Sequence, residues 1–299
     1  MLGYLRWLRH SKRMDYQLYD TAGQAVPGIL ATIPDPPKQL YWAGGSLDRL
    51  LDRPRVAIVG SRRISAYGRR VTARLAEELA RHGVVIISGL ALGVDAVAHR
   101  GALDAGGATI AVMPCSLEKL YPAYNTKLGQ NIYQAGGTLV SEYGPESLFT
   151  YKYNFVARNR LIAGLADAVL ITEAAEKSGS LHTAQFALEQ GREVLVVPGN
   201  IDSPTSAGTN NLLKIGATPV TNVDDILRAI KAETQTMARP SRQSSTPNEQ
   251  VVLDLLDTGL HDGESLLEHS NLPTAEFNRT LTMLEIHGLI RATGNNTWA

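Results

Sequence analysis

Residues 55–62, Arg-Val-Ala-Ile-Val-Gly-Ser-Arg, run four apolar residues, three of them β-branched, into a glycine, a hydroxyl and a guanidinium. Such a run, bounded by glycine, reads as a buried strand that ends in a tight turn. Runs of the same kind recur at 84–88 (VVIIS), 109–113 (TIAVM), 138–142 (TLVSE), 168–172 (AVLIT) and 193–197 (EVLVV). Between the first two, 67–81 (YGRRVTARLAEELAR) places Val71, Leu75, Ala76, Leu79 and Ala80 on one helical stripe, and Gly83 stands where a helix stops in a left-handed turn. Strand and helix alternating in this way predict an α/β fold with a doubly wound, mostly parallel sheet and right-handed crossovers.

In such a sheet the loops leaving the carboxyl ends of the strands line a crevice, deepest where the strand order reverses. Here those loops contain Gly60-Ser61-Arg62, the SGLALGVD segment at 88–95, Met113-Pro-Cys115, Glu142-Tyr-Gly144 and the segment 173–180 with Ser178-Gly179-Ser180. Gly60-Ser61-Arg62 is either a plain turn or a phosphate cradle, with backbone N–H groups and the next helix dipole attracting the anion and Arg62 adding a bidentate contact. Ser178 or Ser180 is expected as a helix N-cap, with Gly179 leaving room for a ligand to approach the backbone. The stretch 152–160 (KYNFVARNR) adds three cations, two aromatics and two amides. With a helix from Val156 onward, Arg158, Asn159 and Arg160 lie ~100° apart around its first turn and cannot all face one ligand. Phe155, just ahead of that helix, offers a ring to a base, and Lys152 a cation to a phosphate.

Other chemistries find little support. Asp95 and His99 stand at i, i+4, but a helix-capping Asp95 and a packed His99 account for them without a third metal ligand. There is no G-x-S-x-G elbow and no G-x-x-x-x-G-K-[ST] loop, so neither a serine hydrolase nor an ATPase is indicated. Cys115, a solitary thiol without an obvious base, permits no internal disulfide and fits a reducing cytoplasm. No catalytic residue, metal or cofactor is assigned. The opening MLGYLRWLRHSKRM lacks the features of a signal peptide or a membrane span, so a cytoplasmic protein without a membrane partner is expected.

At 299 residues the chain is long enough for one large domain and one small one. Residues 1–50 form an irregular segment interrupted by Pro34, Pro36 and Pro37, with Leu40 to Ala43 as an edge strand or a brace. Residues 51–231 form the α/β domain, 232–248 a polar linker, and 249–299 three helices and a β-hairpin turning at Gly294-Asn295, the order of a winged helix. Lys+Arg and Asp+Glu are both 29, so the net charge is zero. Its distribution is uneven: residues 248–299 hold two arginines against eight carboxylates, a balance of −6 that leaves +6 on the rest. An acidic winged helix repels phosphates, which favours a protein-contact or regulatory role over duplex binding.

Taken in order, VAIVGSR (56–62), SGLALGVDAVAHRGAL (88–103), the YP at 121–122, SEYGP (141–145), the segment 155–199 and GTNNLLKIGA (208–217) resemble the DNA-processing protein A (DprA/Smf) family over about residues 34–225. The resemblance implies an extended Rossmann-like fold that binds single-stranded DNA without sequence preference. It also implies a homodimer and a non-enzymatic mediator that loads the RecA recombinase, in natural transformation and recombination, onto DNA coated by single-strand-binding protein. By matching position, Gly60, Ser61, Arg62 and Lys152 are the main phosphate contacts and Phe155 stacks on a base. Arg158 and Arg160 are supports or secondary contacts, and Ser178, Gly179 and Ser180 line the same crevice. Three departures stand out. Val156 replaces the proline of the usual F-P-x-R-N-R, which is expected to loosen the loop presenting Phe155. Leu92 stands where a basic residue is common. The stretch before Pro34 is too short to hold whole the helical domain with which many members begin. The competing reading of the crevice is a nucleotide-binding or nucleotide-processing enzyme.

Overall fold

The computed structural model describes residues 16–20, 26–147, 151–232, 246–294 and 296–298. These fall into two compact units, Met1–Met237 and Ala238–Ala299. The first is built on a nine-stranded sheet whose strands are β1 (Tyr16–Asp20), β2 (Gln39–Gly44), β3 (Arg55–Gly60), β4 (Val85–Ser88), β5 (Thr109–Met113), β6 (Thr138–Ser141), β7 (Ala168–Glu173), β8 (Glu193–Val196) and β9 (Thr218–Pro219). Their order across the sheet is β1-β2-β6-β5-β4-β3-β7-β8-β9. From β6 to β9 all neighbours are parallel, while β1 and β2 extend the β6 edge in antiparallel fashion.

Among the described residues, nine α-helices accompany the strands in this unit: α1 (Gly28–Ala31), α2 (Leu47–Leu51), α3 (Ala66–Arg81), α4 (Val94–Asp104), α5 (Thr126–Gln134), α6 (Lys152–Leu165), α7 (Ser180–Glu189), α8 (Ala207–Lys214) and α9 (Val223–Ala229). Because side chains alternate across a strand, each apolar run supplies two cores at once. In β3, Val56 and Ile58 pack with Leu75 and Leu79 of α3, whereas Ala57 and Val59 pack with Leu161 and Leu165 of α6. A third cluster, around Ile132, Leu139 and Met113, closes the β6 side.

The expectation of an irregular first 50 residues is corrected for residues 16–20 and 26–50, the others lying outside the described residues. Prolines 34, 36 and 37 lie in the bend ahead of β2 rather than inside it, and Leu40, Tyr41, Trp42 and Ala43 are all buried as β2 joins the sheet. That burial outweighs the local punctuation, so the segment belongs to the α/β unit. Most of the expected linker, residues 233–245, lies outside the described residues.

The second unit contains α10 (Pro247–Asp257), α11 (Gly263–Ser270), α12 (Thr274–Ile286), β10 (Ala292–Gly294) and β11 (Thr297–Trp298). Thr246 and Glu249 form a reciprocal capping box at the start of α10, and Asp262 caps α11 by accepting from the Ser265 N–H. Val252, Leu256, Leu266, Phe277 and Leu284 make a core of its own under the antiparallel hairpin β10–β11. Helix, helix, helix, hairpin is the winged-helix order. No described helix is long and apolar enough to cross a membrane.

Candidate nucleic-acid interface

The chain leaves β3 toward β4 on one side and returns as β7 on the other, so the strand order reverses between β3 and β7. There a cleft of about 920 Å³ opens, lined from the β3 loop by Gly60, Ser61 and Arg62, from α6 by Lys152, Phe155 and Arg158, and from the β7 loop by Ser178, Gly179 and Ser180. Nine of the ten residues singled out in the sequence therefore meet at one site. Arg160 does not line it.

The floor of the cleft depends on backbone contacts that only glycine permits. A Cβ on Gly60 would fall 2.6 Å from the Glu173 carbonyl oxygen and 2.7 Å from Val94 Cγ2. Gly93 has φ +82°, and a Cβ there would fall 2.1 Å from the Ser61 carbonyl oxygen. The Ser61 N–H donates to Glu173 O at 2.7 Å and the Val94 N–H to Ser61 O at 3.1 Å, which ties three loops together beneath Arg62.

The helix that follows Gly60-Ser61-Arg62 begins within a residue of the expected position, but it does not offer its N-terminus to the cleft. Helix α3 starts at Ala66, and its N-terminus is already occupied: Ser65 Oγ accepts from the Gly68 N–H at 3.0 Å, and the buried Glu173 carboxylate accepts from the Ser65 N–H at 3.0 Å. A carboxylate on those N–H groups takes the place a phosphate would need. What the β3 loop presents to the cleft is its own backbone and the Arg62 side chain. Neither serine caps α7 either. Gly179 is the N-cap residue and makes no side-chain cap bond, while Ser178 Oγ and Ser180 Oγ hydrogen-bond each other at 2.8 Å. A Cβ on Gly179 would meet nothing within 4 Å, so the start of α7 is open toward the cleft.

Helix α6 begins at Lys152 rather than Val156, which places Phe155 in its first turn. Lys152, Phe155, Val156 and Asn159, at i, i+3, i+4 and i+7, form the cleft-facing stripe. Val156 does not loosen a loop, because its position is helical and, unlike proline, it keeps a backbone N–H. The Arg62 guanidinium lies 5.5 Å from the centre of the Phe155 ring, and Tyr121 meets that ring edge-on at 5.3 Å. Leu92, 42 % exposed, contributes an apolar rim beside them.

Arg158 and Arg160 do different work. Arg158 is buried under the cleft, where Nη1 donates to Gly89 O at 2.8 Å and Val112 O at 2.5 Å, and Nε to Asn159 Oδ1 at 3.2 Å. Burial lowers its pKa to about 10; Asp95 opposes the shift and Arg62 adds to it. Burial likewise raises the Asp95 pKa, against the pull of Arg158 and of N–H bonds from Ala91 and Gly89. Arg160 is withdrawn from the site: it donates to both oxygens of Glu142 at 2.9 and 2.7 Å and to Asp35 at 2.7 Å. Two carboxylates neutralise it, so of the two roles expected for it the geometry fits support rather than DNA contact: it braces α6 against the segments before β2 and after β6.

Asp95 and His99 do not act together. Asp95 accepts from the N–H groups of Gly89 and Ala91, fixing the loop after β4 rather than capping α4, whose N-cap is Gly93. His99 Nδ1 meets Thr109 Oγ1 at 2.7 Å, and that hydroxyl donates onward to Ile86 O, so Nδ1 carries the proton. Cys115 is buried and its thiol meets Lys119 O at 3.3 Å. Residues that sequence reading had not assigned to the site are Arg63, Tyr121, Asn159, Lys177 and His182. Asn159 and His182 were visible only through helical spacing from correctly placed neighbours.

The model of DNA recombination-mediator protein A matches residues 18–231, and that of the DprA winged helix domain residues 235–296. Protein Smf of Escherichia coli K12 is 39 % identical over 274 residues, which is 89 % of this chain and 72 % of its own. DNA processing protein DprA of Bacillus subtilis is 38 % identical over 209 residues, covering 70 % of this chain and 69 % of its own. Among solved structures, DNA processing protein A of Helicobacter pylori, studied for its single-stranded DNA binding mode, superposes with a TM-score of 0.65 at 39 % identity over 73 % of this chain and 96 % of its own. DprA of Streptococcus pneumoniae superposes with a TM-score of 0.66 at 38 % identity, over 76 % of this chain and 77 % of its own.

Proposed function

Since the chain belongs to the DNA recombination-mediator protein A family, we propose that its cleft holds single-stranded DNA without sequence preference and leaves the strand chemically unchanged. The observation that carries this reading is the pairing of Arg62 and Lys152 with a half-buried aromatic, Phe155, around one open cleft. Neither cation has a carboxylate partner among the described residues. Cations that displace counterions from phosphates, beside a ring on which any base can stack, make a sequence-tolerant grip. Ser61 and the open start of α7, with Ser178, Gly179 and Ser180, provide further donors for the backbone. In this reading the protein is a mediator rather than an enzyme, and needs no cofactor. It works as a homodimer that loads RecA onto DNA released from single-strand-binding protein, and the acidic winged helix serves protein contact.

Oligo-dT binding followed across a salt series tests the grip. Arg62→Ala with Lys152→Ala is expected to abolish tight binding at moderate salt and to flatten log K against log salt by about 1.4, or ~0.7 per phosphate contact removed. Unchanged binding would overturn the reading. One feature favours the nucleotide-enzyme alternative: the uncapped start of α7 could seat a nucleoside monophosphate. Turnover of such nucleotides, or saturable binding that DNA does not displace, would establish it.

A further inference from the structure

Five arginines, Arg62, Arg63, Arg69, Arg70 and Arg74, are exposed on the loop after β3 and on α3. None of them has an ion-pair partner among the described residues, whereas Arg55, Arg81, Arg160 and Arg228 each do. Arg63 lies on the lip of the cleft. Beyond it, Tyr67, Arg70 and Arg74, at i, i+3 and i+7, share one exposed face of α3. The Tyr67 hydroxyl donates to Pro198 O at 3.0 Å, the Arg70 guanidinium lies 5.9 Å from the Tyr67 ring, and Arg74 Nη2 reaches Thr221 O at 3.4 Å.

Arg70 and Arg74 form an i, i+4 like-charge pair, which disfavours a helix. Among the described residues no carboxylate is within ion-pair distance of either; Glu77 and Glu78, one turn beyond Arg74, mark the acidic end of this face, and Glu77 pairs with Arg81. Their backbone positions follow one another about 6 Å apart along the helix axis, at ~1.5 Å per residue. This row of cations starts at the lip where the cleft cations end, and it suits an extended polyanion better than a compact one.

We propose that the exposed face of α3 is an exit track for the same DNA strand, Arg70 and Arg74 holding phosphates beyond those gripped in the cleft; the proposal rests on the single-strand reading of that cleft. The track gives the complex a longer footprint than the cleft alone, and its contribution appears only once a strand is long enough to leave the cleft. A duplex, whose two backbones cannot follow one narrow row while a base enters the cleft, gains less from it.

The full-length protein is titrated with labelled dT6 and dT20 over a salt series, as wild type, as Arg70→Gln/Arg74→Gln and as Arg70→Lys/Arg74→Lys. For dT20 the glutamine variant is expected to flatten the slope of log K against log salt by about 1.4, with dT6 unchanged and the lysine variant close to wild type. An unchanged dT20 slope or an equal loss on dT6 overturns the track. The Arg62→Ala/Lys152→Ala variant separates the two readings. If it still binds both oligonucleotides, the cleft reading has failed; if it loses both while the Arg70/Arg74 variant matches wild type, only the track has.

Discussion

Three cations of the one short segment 152–160 end up in three environments: Lys152 at the cleft, Arg158 beneath it and Arg160 between two carboxylates. In the sequence, Arg158, Asn159 and Arg160 could already be seen not to face one ligand together, since successive helical positions lie ~100° apart. The sequence could not show which one turned inward, because Gly89, Val112, Glu142 and Asp35 come from distant parts of the chain. The consequence is a split between stability and binding. Arg158→Ala leaves two carbonyls without a donor and the buried Asp95 without its counter-charge, and is expected to cost about 3 kcal/mol or more, read as a lower denaturation midpoint. Lys152→Ala, at an exposed side chain, should stay within about 0.5 kcal/mol of wild type in the same measurement while weakening oligo-dT binding. His99 adds a pH term. Burial, followed by the repulsion of Arg158 and Arg100, lowers its pKa to about 3, and Nε2 has no partner. The unfolded chain therefore binds a proton that the native state refuses. The contribution is full above pH ~6.5 and is lost as pH falls toward 3, with a slope of at most about 1.4 kcal/mol per pH unit. A His99→Gln variant, which keeps a donor for Thr109, should show a shallower loss of stability between pH 7 and 4 than the wild type.

Among the elements, the six strand runs from β3 to β8 were legible because strands buried on both faces are nearly uninterrupted apolar sequence. β2 was harder, since its partner β6 lies almost a hundred residues away and three prolines stand just before it. The start of α6 was hidden for a different reason: Tyr151 occupies its N-cap without a side-chain cap bond, so no serine, threonine or aspartate marks the boundary. The glycines that shape the cleft floor could be recognised as turns but not as contacts between turns. Gly93 illustrates the difference. Its positive φ and its approach to the Ser61 carbonyl mean that Gly93→Ala must both strain α4's first turn and push the β3 loop outward. The strain alone is worth about 1–3 kcal/mol. The variant is expected to melt at a lower temperature and to bind oligo-dT more weakly although no cation has been removed. Wild-type affinity in a measurably destabilised variant would mean that the position of Arg62 is not set from below by α4.

At the level of the whole molecule, a net charge of zero conceals two oppositely charged regions: the residues before 248 carry the surplus of cations and the last 52 the surplus of carboxylates. The three large apolar clusters draw only on residues up to 232, and the fourth only on residues from 252 onward. Each unit thus has its own core, the condition for folding independently. Every residue lining the cleft comes from the first unit. A chain ending at Met237 should therefore keep the melting transition of the α/β unit, and its affinity for oligo-dT should match or exceed that of the full chain, because eight carboxylates have been removed with only four arginines. At low salt the gain should be largest, since long-range repulsion between exposed charges and DNA is screened over about 10 Å at 0.1 M. Calorimetry of the full chain alongside a binding isotherm of the shortened one reads both quantities. If affinity collapses on truncation while the α/β transition persists, the winged helix takes part in holding the strand despite its charge, and the assignment of the grip to the cleft alone fails.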